Sequence, residues 1–156
     1  MLSNEAQELL ELLIAKGLTI SVAESCTGGS LSHAITSIPG ASSYFDCGYI
    51  TYSNQSKVDM LGVDIQAIKT YGAVSEEVVL EMVIGVATRS HSDVAVSITG
   101  VAGPTGGTTE KPVGTVYFGF SFEGKTSTSS QLFSGDRASI VSQSVSYALR
   151  QLFLRF

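Results

Sequence analysis

A short stretch near the start of the chain carries hydroxyl and thiol side chains at the point where an apolar run ends. Ser25, Cys26 and Thr27 follow the run that ends at Ala23, and two glycines then precede new apolar residues at helical spacing. A turn between a strand and a helix presents short nucleophilic side chains beside unpaired main-chain N–H groups. The stretch therefore predicts a site that binds an anion or attacks a carbonyl carbon.

The residue types leave three interpretations of this turn open. Ser25 fits a nucleophile whose oxyanion is held by N–H groups at the helix start, although the G-x-S-x-G pattern is absent. Cys26 is the rival nucleophile, because the start of a helix favours a thiolate, but a cysteine is also commonly a small packed side chain. Ser25 or Thr27 could instead simply cap the helix, and composition alone favours that interpretation.

Histidine and metal-binding patterns are scarce, which limits how a nucleophile could be activated. His33 and His91 are the only histidines, the two cysteines are dispersed, and no D-x-D or H-E-x-x-H pattern occurs. We therefore expect no metal site. A lysine can activate a serine instead, if burial or neighbouring cations lower its pKa.

Lys57 is the candidate for that lysine. It ends a polar segment, residues 52–57, that follows a predicted strand, so its side chain could point back toward Ser25. Tyr52 could relay or orient the proton. Taken alone, each residue is by default something simpler: Lys57 an exposed lysine at a helix start, and Tyr52 a half-buried aromatic residue of a strand.

A second glycine-rich turn occupies residues 99–107. Its main chain could approach a ligand closely, but it lacks the ending of a P-loop and the pattern of a dinucleotide-binding loop. Lys111 and Arg137 are the nearest candidate partners for an anion. A flexible surface loop and a solvated Arg137 are the alternatives.

The elements that must position these segments alternate between helix and strand, and a hairpin comes late. We predict first a helix capped by Ser3 or Asn4 and ending at Gly17, a strand over 18–23, a helix to about Ile38 and a strand over 44–52. Three helices follow: a short one capped by Ser53 or Asn54 and ending at Leu61, another capped by Asp64, and a longer one that begins at Ser75. The chain then continues with a strand over 93–98, a hairpin of 113–122 and 126–133 that turns at Glu123 and Gly124, and a last helix capped by Asp136.

This pattern predicts an α/β fold: a single layered domain over residues 1–156, with a mixed sheet flanked by helices and a late β-hairpin. Ligands of such sheets bind beyond the carboxyl ends of parallel strands. Segments 24–29, 52–57 and 99–107 each follow a predicted strand. If those strands are parallel, the three segments meet at one edge of the sheet.

Composition narrows the class of protein. The chain has 156 residues, 44% of them hydrophobic, 15% charged, and a net charge of −5, which fits one well-packed domain. No cluster of lysine and arginine supports a nucleic-acid surface, and no apolar run is long enough to span a membrane. Few cysteines, and a start without the features of a signal peptide, lead us to expect a cytoplasmic protein.

Taken together, these segments resemble the CinA C-terminal domain family, the nicotinamide-nucleotide amidases. The resemblance runs through nearly the whole chain in family order. The matching segments are residues 23–29, 48–54 with Lys57, 72–76, 99–104 with Gly106 and Gly107, 111–114 and 135–137.

The resemblance implies a metal-independent amidohydrolase without a cofactor. Such an enzyme converts nicotinamide mononucleotide to nicotinate mononucleotide and ammonia in pyridine-nucleotide salvage, and family members are often homo-oligomers. Ser25 matches the family nucleophile, and Tyr52 and Lys57 match the segment that is thought to activate it. From the matching segments we assign substrate binding to Glu24, Thr27, Gly28, Gly29, Asn54, Thr99, Gly100, Gly103 and Arg137.

One position departs from the family pattern. A second arginine is expected about four residues after Arg137, and Val141 stands there, followed by Ser142. The resemblance therefore leaves an alternative: a catalytically silent paralogue that binds a nucleotide or acts as an interaction module.

Overall fold

The computed structural model describes residues 4–156, apart from the side chain of Glu5, and shows helices on both faces of one five-stranded sheet. The helices and strands are α1 (Asn4–Lys16), β1 (Ile20–Glu24), α2 (Ser30–Thr36), a 3-10 turn (Ala41–Ser43), β2 (Phe45–Ile50), α3 (Asn54–Leu61), α4 (Ile65–Tyr71), α5 (Glu76–Arg89), β3 (Val94–Gly100), β4 (Thr115–Phe122), β5 (Lys125–Leu132) and α6 (Arg137–Leu154).

The sheet is mixed, as the sequence predicted. Its strand order is β2-β1-β3-β4-β5. β1 pairs in parallel with both β2 and β3, while β3, β4 and β5 form an antiparallel meander. Because β1, β2 and β3 are parallel, the polar segments that follow them leave the sheet at the same edge.

Two hydrophobic cores lie on opposite faces of this sheet. α1, α2 and α6 pack on one face, over side chains such as Val22, Val96 and Phe118. α5, with α3 and α4 beside it, covers the other face through Met82, Leu61 and their neighbours. Every residue of β1 and all but the last of β3 is buried, which explains the continuous apolar run of β3 and the mainly apolar run of β1.

Most predicted helix starts are confirmed by hydrogen bonds. The side chains of Ser53, Asp64, Ser75 and Asp136 each accept a main-chain N–H of the helix that follows. The predicted turn of the hairpin is also confirmed, with positive φ at Glu123 and Gly124. Ser3, one of the two residues proposed to cap the first helix, lies outside the described residues.

The expected cap of α2 is wrong. Gly29, with φ of 103°, occupies the N-cap position, and no side chain of the turn itself caps the helix. Gly28 also has a positive φ, of 55°. The chain therefore reverses direction through two residues in left-handed conformations, which only glycine adopts readily. Ser25 and Thr27 therefore lie too far before the helix to cap it.

Several element boundaries differ slightly from the predicted ones. β1 begins at Ile20 and not at Leu18, because the N–H of Leu18 still bonds the carbonyl of Leu13 at the end of α1. α2 ends at Thr36, and β4 begins at Thr115.

Candidate active site

A pocket of about 280 Å³ lies beyond the carboxyl ends of β1 and β3. The three polar segments meet there, as the parallel strands predict. Of the residues that the sequence nominated, the pocket is lined by Ser25, Tyr52, Asn54, Lys57, Thr99, Gly100, Gly103 and Arg137.

Lys57 and Ser25 form a direct hydrogen bond at the base of this pocket. Lys57 Nζ lies 3.0 Å from Ser25 Oγ, 2.7 Å from the carbonyl oxygen of Thr51 and 3.4 Å from that of Tyr52. Lys57 lies near the start of α3, whose N-terminus is capped by Ser53. The amine and the hydroxyl are thus within the distance that proton transfer requires.

Burial changes the acidity of the Lys57 amine. The side chain is only 1% exposed. Desolvation lowers the pKa of Lys57 from its ordinary value of 10.5 to about 8, with a smaller opposing effect of the neighbouring Cys26. A substantial fraction of the amine is therefore neutral near physiological pH and has a lone pair that can accept a proton.

Ser25 is held by the strand ends on both sides of it. Its N–H donates to the carbonyl oxygen of Ile98 over 3.0 Å, and its own carbonyl accepts the N–H of Gly28. The preceding residue, Glu24, accepts the N–H of Thr51 through its main-chain oxygen. Ser25 is 8% exposed, so its hydroxyl reaches the pocket from an otherwise buried position.

The turn after Ser25 offers a main-chain donor for an oxyanion. Among the described residues, no other residue accepts the main-chain N–H of Cys26 or of Thr27. Of these two residues only Cys26 lines the pocket, so its N–H is the candidate donor to the negative oxygen of a tetrahedral intermediate.

Cys26 lines the pocket but is a poor thiolate. Burial raises the pKa of its thiol to about 12, and the charge of Glu24 contributes in the same direction. The thiol therefore stays protonated at physiological pH, contrary to the thiolate that a helix start would favour. Of the two candidate nucleophiles, the geometry and the charge favour Ser25.

Four residues assigned to substrate binding do not line the pocket: Glu24, Thr27, Gly28 and Gly29. The Glu24 carboxylate is fully buried and bonds main-chain N–H groups of α2. Thr27 is 3% exposed, and its hydroxyl has no partner among the described residues. The two glycines form the turn itself, so this segment contributes only Ser25 and Cys26 to the pocket wall.

The hydroxyl of Tyr52 does not point at the serine–lysine pair. It accepts a hydrogen bond from Nη2 of Arg137, and the side chain is 56% exposed. Nη1 of Arg137 donates to the carbonyl oxygen of Gly103 over 2.7 Å. Arg137 therefore joins the segment after β2 to the glycine-rich loop after β3.

Thr99 serves a different segment from the one the sequence suggested. Its hydroxyl donates to the carbonyl oxygen of Ala73 over 3.0 Å, and the residue is 1% exposed. Ala73 and Val74 also line the pocket, although the sequence pattern gave neither residue a role. The only signal for them was the matching segment 72–76, which carries no side chain with obvious chemistry.

Val141, at the position where the family pattern calls for an arginine, does not line the pocket. It is partly buried and packs against the core beneath α6.

The described residues contain no cluster of three or more His, Cys, Asp or Glu side chains that could hold a metal ion. Within residues 4–156, no helix has the length and apolarity needed to cross a membrane.

Together these features define an α/β domain with a serine–lysine pair at the carboxyl edge of a mixed sheet. A sequence profile of the CinA C-terminal domain family matches residues 3–155. The nicotinamide-nucleotide amidohydrolase PncC of Enterobacter agglomerans is 49% identical over 96% of this chain and 92% of its own length. That of Escherichia coli K12 is 46% identical over 97% and 92%.

A crystal structure from Escherichia coli, described as a competence-damaged protein (CinA) superfamily protein, matches with a TM-score of 0.96. It is 36% identical in sequence, and the match covers 100% of this chain and 91% of that one. The chain belongs to the CinA C-terminal domain family.

Proposed function

We propose that this chain is a nicotinamide-nucleotide amidohydrolase, which converts nicotinamide mononucleotide and water to nicotinate mononucleotide and ammonia. The observation that carries the proposal is the 3.0 Å contact between Lys57 Nζ and Ser25 Oγ inside a pocket. The PncC relatives, which match over nearly their full length, supply the substrate.

Neutral Lys57 removes the proton of the Ser25 hydroxyl as the serine oxygen attacks the carboxamide carbon. The main-chain N–H of Cys26, which lines the pocket, holds the resulting oxyanion; a donor of this kind contributes about 3–4 kcal/mol. The Lys57 ammonium then gives its proton to the departing nitrogen, and ammonia leaves. Water, deprotonated by Lys57, cleaves the nicotinoyl ester and restores Ser25.

The phosphate of the substrate lies near Arg137 in this proposal. Arg137 is exposed at the rim of the pocket, and its guanidinium has more donors than the two it uses on Gly103 and Tyr52. Asn54 and the loop that contains Gly100 and Gly103 line the same pocket and would contact the ribose and phosphate. Thr99 supports this wall through its bond to Ala73.

We also infer that the protein acts in the cytoplasm as a homo-oligomer. Both cysteines are free, which fits a reducing compartment where phosphorylated nucleotides are metabolised. The family resemblance supports the oligomer. Light scattering after size-exclusion chromatography tests this: a mass near that of a single 16.4 kDa chain would contradict it.

Ammonia release from nicotinamide mononucleotide, measured with a metal chelator present, tests the proposed activity. Wild-type protein should turn over, and Ser25→Ala should lose at least about a thousandfold in kcat. Ser43→Ala is a matched control, because Ser43 only bonds the carbonyl of Gly40 in the 3-10 turn. Binding of nicotinamide mononucleotide by calorimetry without any product would favour the silent paralogue.

A further inference from the structure

Glu24 is a fully buried carboxylate directly beside Ser25 in the chain. It does not line the pocket, so it has no contact with a substrate there. We propose that Glu24 is a positioning residue: by holding the start of α2 and the segment before α3, it fixes Ser25 and Lys57 at reacting distance. This role rests on the amidohydrolase function proposed above.

The carboxylate of Glu24 accepts three hydrogen bonds from the first turn of α2. Oε1 accepts the N–H of Leu31 over 2.8 Å, and Oε2 accepts the N–H of Ser32 over 3.0 Å and its hydroxyl over 2.6 Å. No side chain at the helix start provides a cap, and the N-cap residue is Gly29. Glu24 therefore replaces the missing cap from the end of the neighbouring strand.

This arrangement closes a loop around the proposed nucleophile. The main chain of Glu24 belongs to β1, while its side chain is fixed to α2, so residues 25–29 connect two points that Glu24 itself ties together. The N–H of Ser25 is bonded to Ile98 at the start of this loop. Since glycines at 28 and 29 provide little stiffness of their own, the carboxylate adds a restraint to the main-chain hydrogen bonds within the turn.

Glu24 also connects to the proposed base. Its main-chain oxygen accepts the N–H of Thr51 over 2.8 Å, and the carbonyl of Thr51 accepts Lys57 Nζ over 2.7 Å. One residue thus braces the serine through its side chain and the lysine through its main chain. A displacement of about 1 Å between reacting groups can cost about a hundredfold in rate.

A carboxylate is an expensive choice for a purely structural position. Burying an ionised group without an opposite charge is strongly unfavourable unless hydrogen bonds replace its water. Glu24 has three such bonds, two of them to N–H groups that a helix start cannot satisfy by itself. Both oxygens of the Glu24 carboxylate accept main-chain N–H groups. The NH2 group of a glutamine would replace one of these oxygens and would face an N–H group, so the geometry requires the carboxylate.

Glu24→Gln and Ser32→Ala test the proposal with a large and a small change to the hydrogen bonds of Glu24. Glu24→Gln changes the acceptor itself, whereas Ser32→Ala removes one of three donors and leaves the carboxylate and both N–H contacts intact. Asp64→Ala is the matched control, because Asp64 caps α4 and does not line the pocket. For each variant the measurements are the melting temperature, kcat and KM for nicotinamide mononucleotide, and the rate at which a fluorophosphonate modifies Ser25.

We expect Glu24→Gln to lower kcat and the rate of Ser25 modification by about 10- to 100-fold, with KM changed less than about twofold. Ser32→Ala should lower both rates by about two- to fivefold, and Asp64→Ala should lower only the melting temperature. Both rates are divided by the fraction of the protein that the fluorophosphonate modifies at the end of the reaction. Partial unfolding of a variant therefore does not appear as a lower kcat or a slower modification. If Glu24→Gln does not fold, Ser32→Ala decides.

Wild-type rates per titrated serine in Glu24→Gln or, failing that, in Ser32→Ala would overturn the positioning role. A change in KM with kcat at the wild-type value would also overturn it. The fluorophosphonate arm needs no nucleotide, so it separates this proposal from the proposed function. If wild-type protein reacts with the fluorophosphonate but releases no ammonia, the substrate assignment is wrong, while the rate of modification still tests Glu24.

Discussion

Lys57 Nζ lies 3.0 Å from Ser25 Oγ, and its other two contacts are the carbonyl oxygens of Thr51 and Tyr52. A carbonyl oxygen can only accept a hydrogen bond, so both carbonyls take N–H groups of the amine. When Lys57 is neutral, it retains two N–H groups and one lone pair. With the N–H groups directed at the carbonyls, the lone pair faces the Ser25 hydroxyl, which is the orientation a general base needs.

The first prediction concerns the pH dependence of the reaction. Because burial lowers the pKa of Lys57 to about 8, kcat/KM should rise with pH and level off above about pH 8. Lys57→Met should lose about 100- to 10,000-fold in kcat/KM and lose this dependence. Ammonia release measured across the pH range provides both results.

Lys69→Met is the control for that experiment, since Lys69 is an exposed lysine on α4. It should keep the wild-type profile. A wild-type profile that is flat from about pH 6 to about pH 9, or a Lys57→Met variant with near wild-type rates, would remove Lys57 as the base.

The second prediction concerns stability. The pKa of Lys57 falls from 10.5 in the unfolded chain to about 8 in the folded one, so between these values the unfolded state binds more protons. The free energy of unfolding therefore gains a positive slope in this window, while below about pH 8 the full cost of burying the ammonium is present. Relative to Lys57→Met, wild-type protein should become more stable as pH rises from about 8 to about 10.5.

Urea unfolding of the two proteins at several pH values measures this difference. Other groups titrate in the same range, and subtracting the variant removes their contribution. Lys69→Met again serves as the control for replacing a lysine by methionine, because Lys69 is exposed. An unchanged difference across the window would mean that Lys57 titrates as an ordinary lysine in the folded protein.

The convergence of the site was predictable from the sequence. Parallel strands send their carboxyl ends to one edge, so three polar segments after strands had to meet once the sheet had that topology. The scarcity of histidine indicated that a lysine would have to activate the serine. Lys57 was predicted to be that lysine because it ends the polar segment that follows a strand. The two burial patterns, continuous in β1 and β3, also matched the apolar runs.

The directions of individual side chains were not predictable. Tyr52 follows β2 in an irregular segment, so neither helical nor strand periodicity says which way its ring points. Glu24 bonds a helix that begins six residues later in the chain, a contact that depends on two left-handed glycines between them. The acidity of Cys26 depends on burial in three dimensions, which the helix-start argument ignored.

The third prediction separates Cys26 from Ser25. The pKa of the Cys26 thiol is about 12, because the side chain is buried, so the thiol is neither charged nor reactive at physiological pH. Cys26→Ala keeps the main-chain N–H that would hold the oxyanion, and kcat should fall by less than about tenfold. Steady-state kinetics beside Ser25→Ala makes the comparison, with Cys47→Ala, the other free cysteine, as control.

Mass spectrometry after iodoacetamide treatment checks the same point chemically. Cys47, which is partly exposed, should be alkylated well before Cys26. Rapid alkylation of Cys26, or a loss in Cys26→Ala as large as that in Ser25→Ala, would return Cys26 as the nucleophile.

The last prediction concerns Tyr52, which the sequence analysis placed in the catalytic apparatus. Its hydroxyl accepts from Arg137, while the hydrogen bond between Tyr52 and Lys57 goes to the main-chain carbonyl of Tyr52, 3.4 Å from Nζ. Tyr52→Phe removes the hydroxyl and leaves that carbonyl in place. If the hydroxyl holds Arg137 over the pocket, KM for nicotinamide mononucleotide should rise about three- to tenfold, while kcat stays within about twofold.

Tyr71→Phe is the matched control, because Tyr71 is also a half-exposed tyrosine, and its hydroxyl has no partner among the described residues. It should leave both constants unchanged. A fall of about a hundredfold or more in the kcat of Tyr52→Phe, with KM unchanged, would mean that the hydroxyl carries a proton during the reaction. Tyr52 would then have to leave Arg137 when substrate binds.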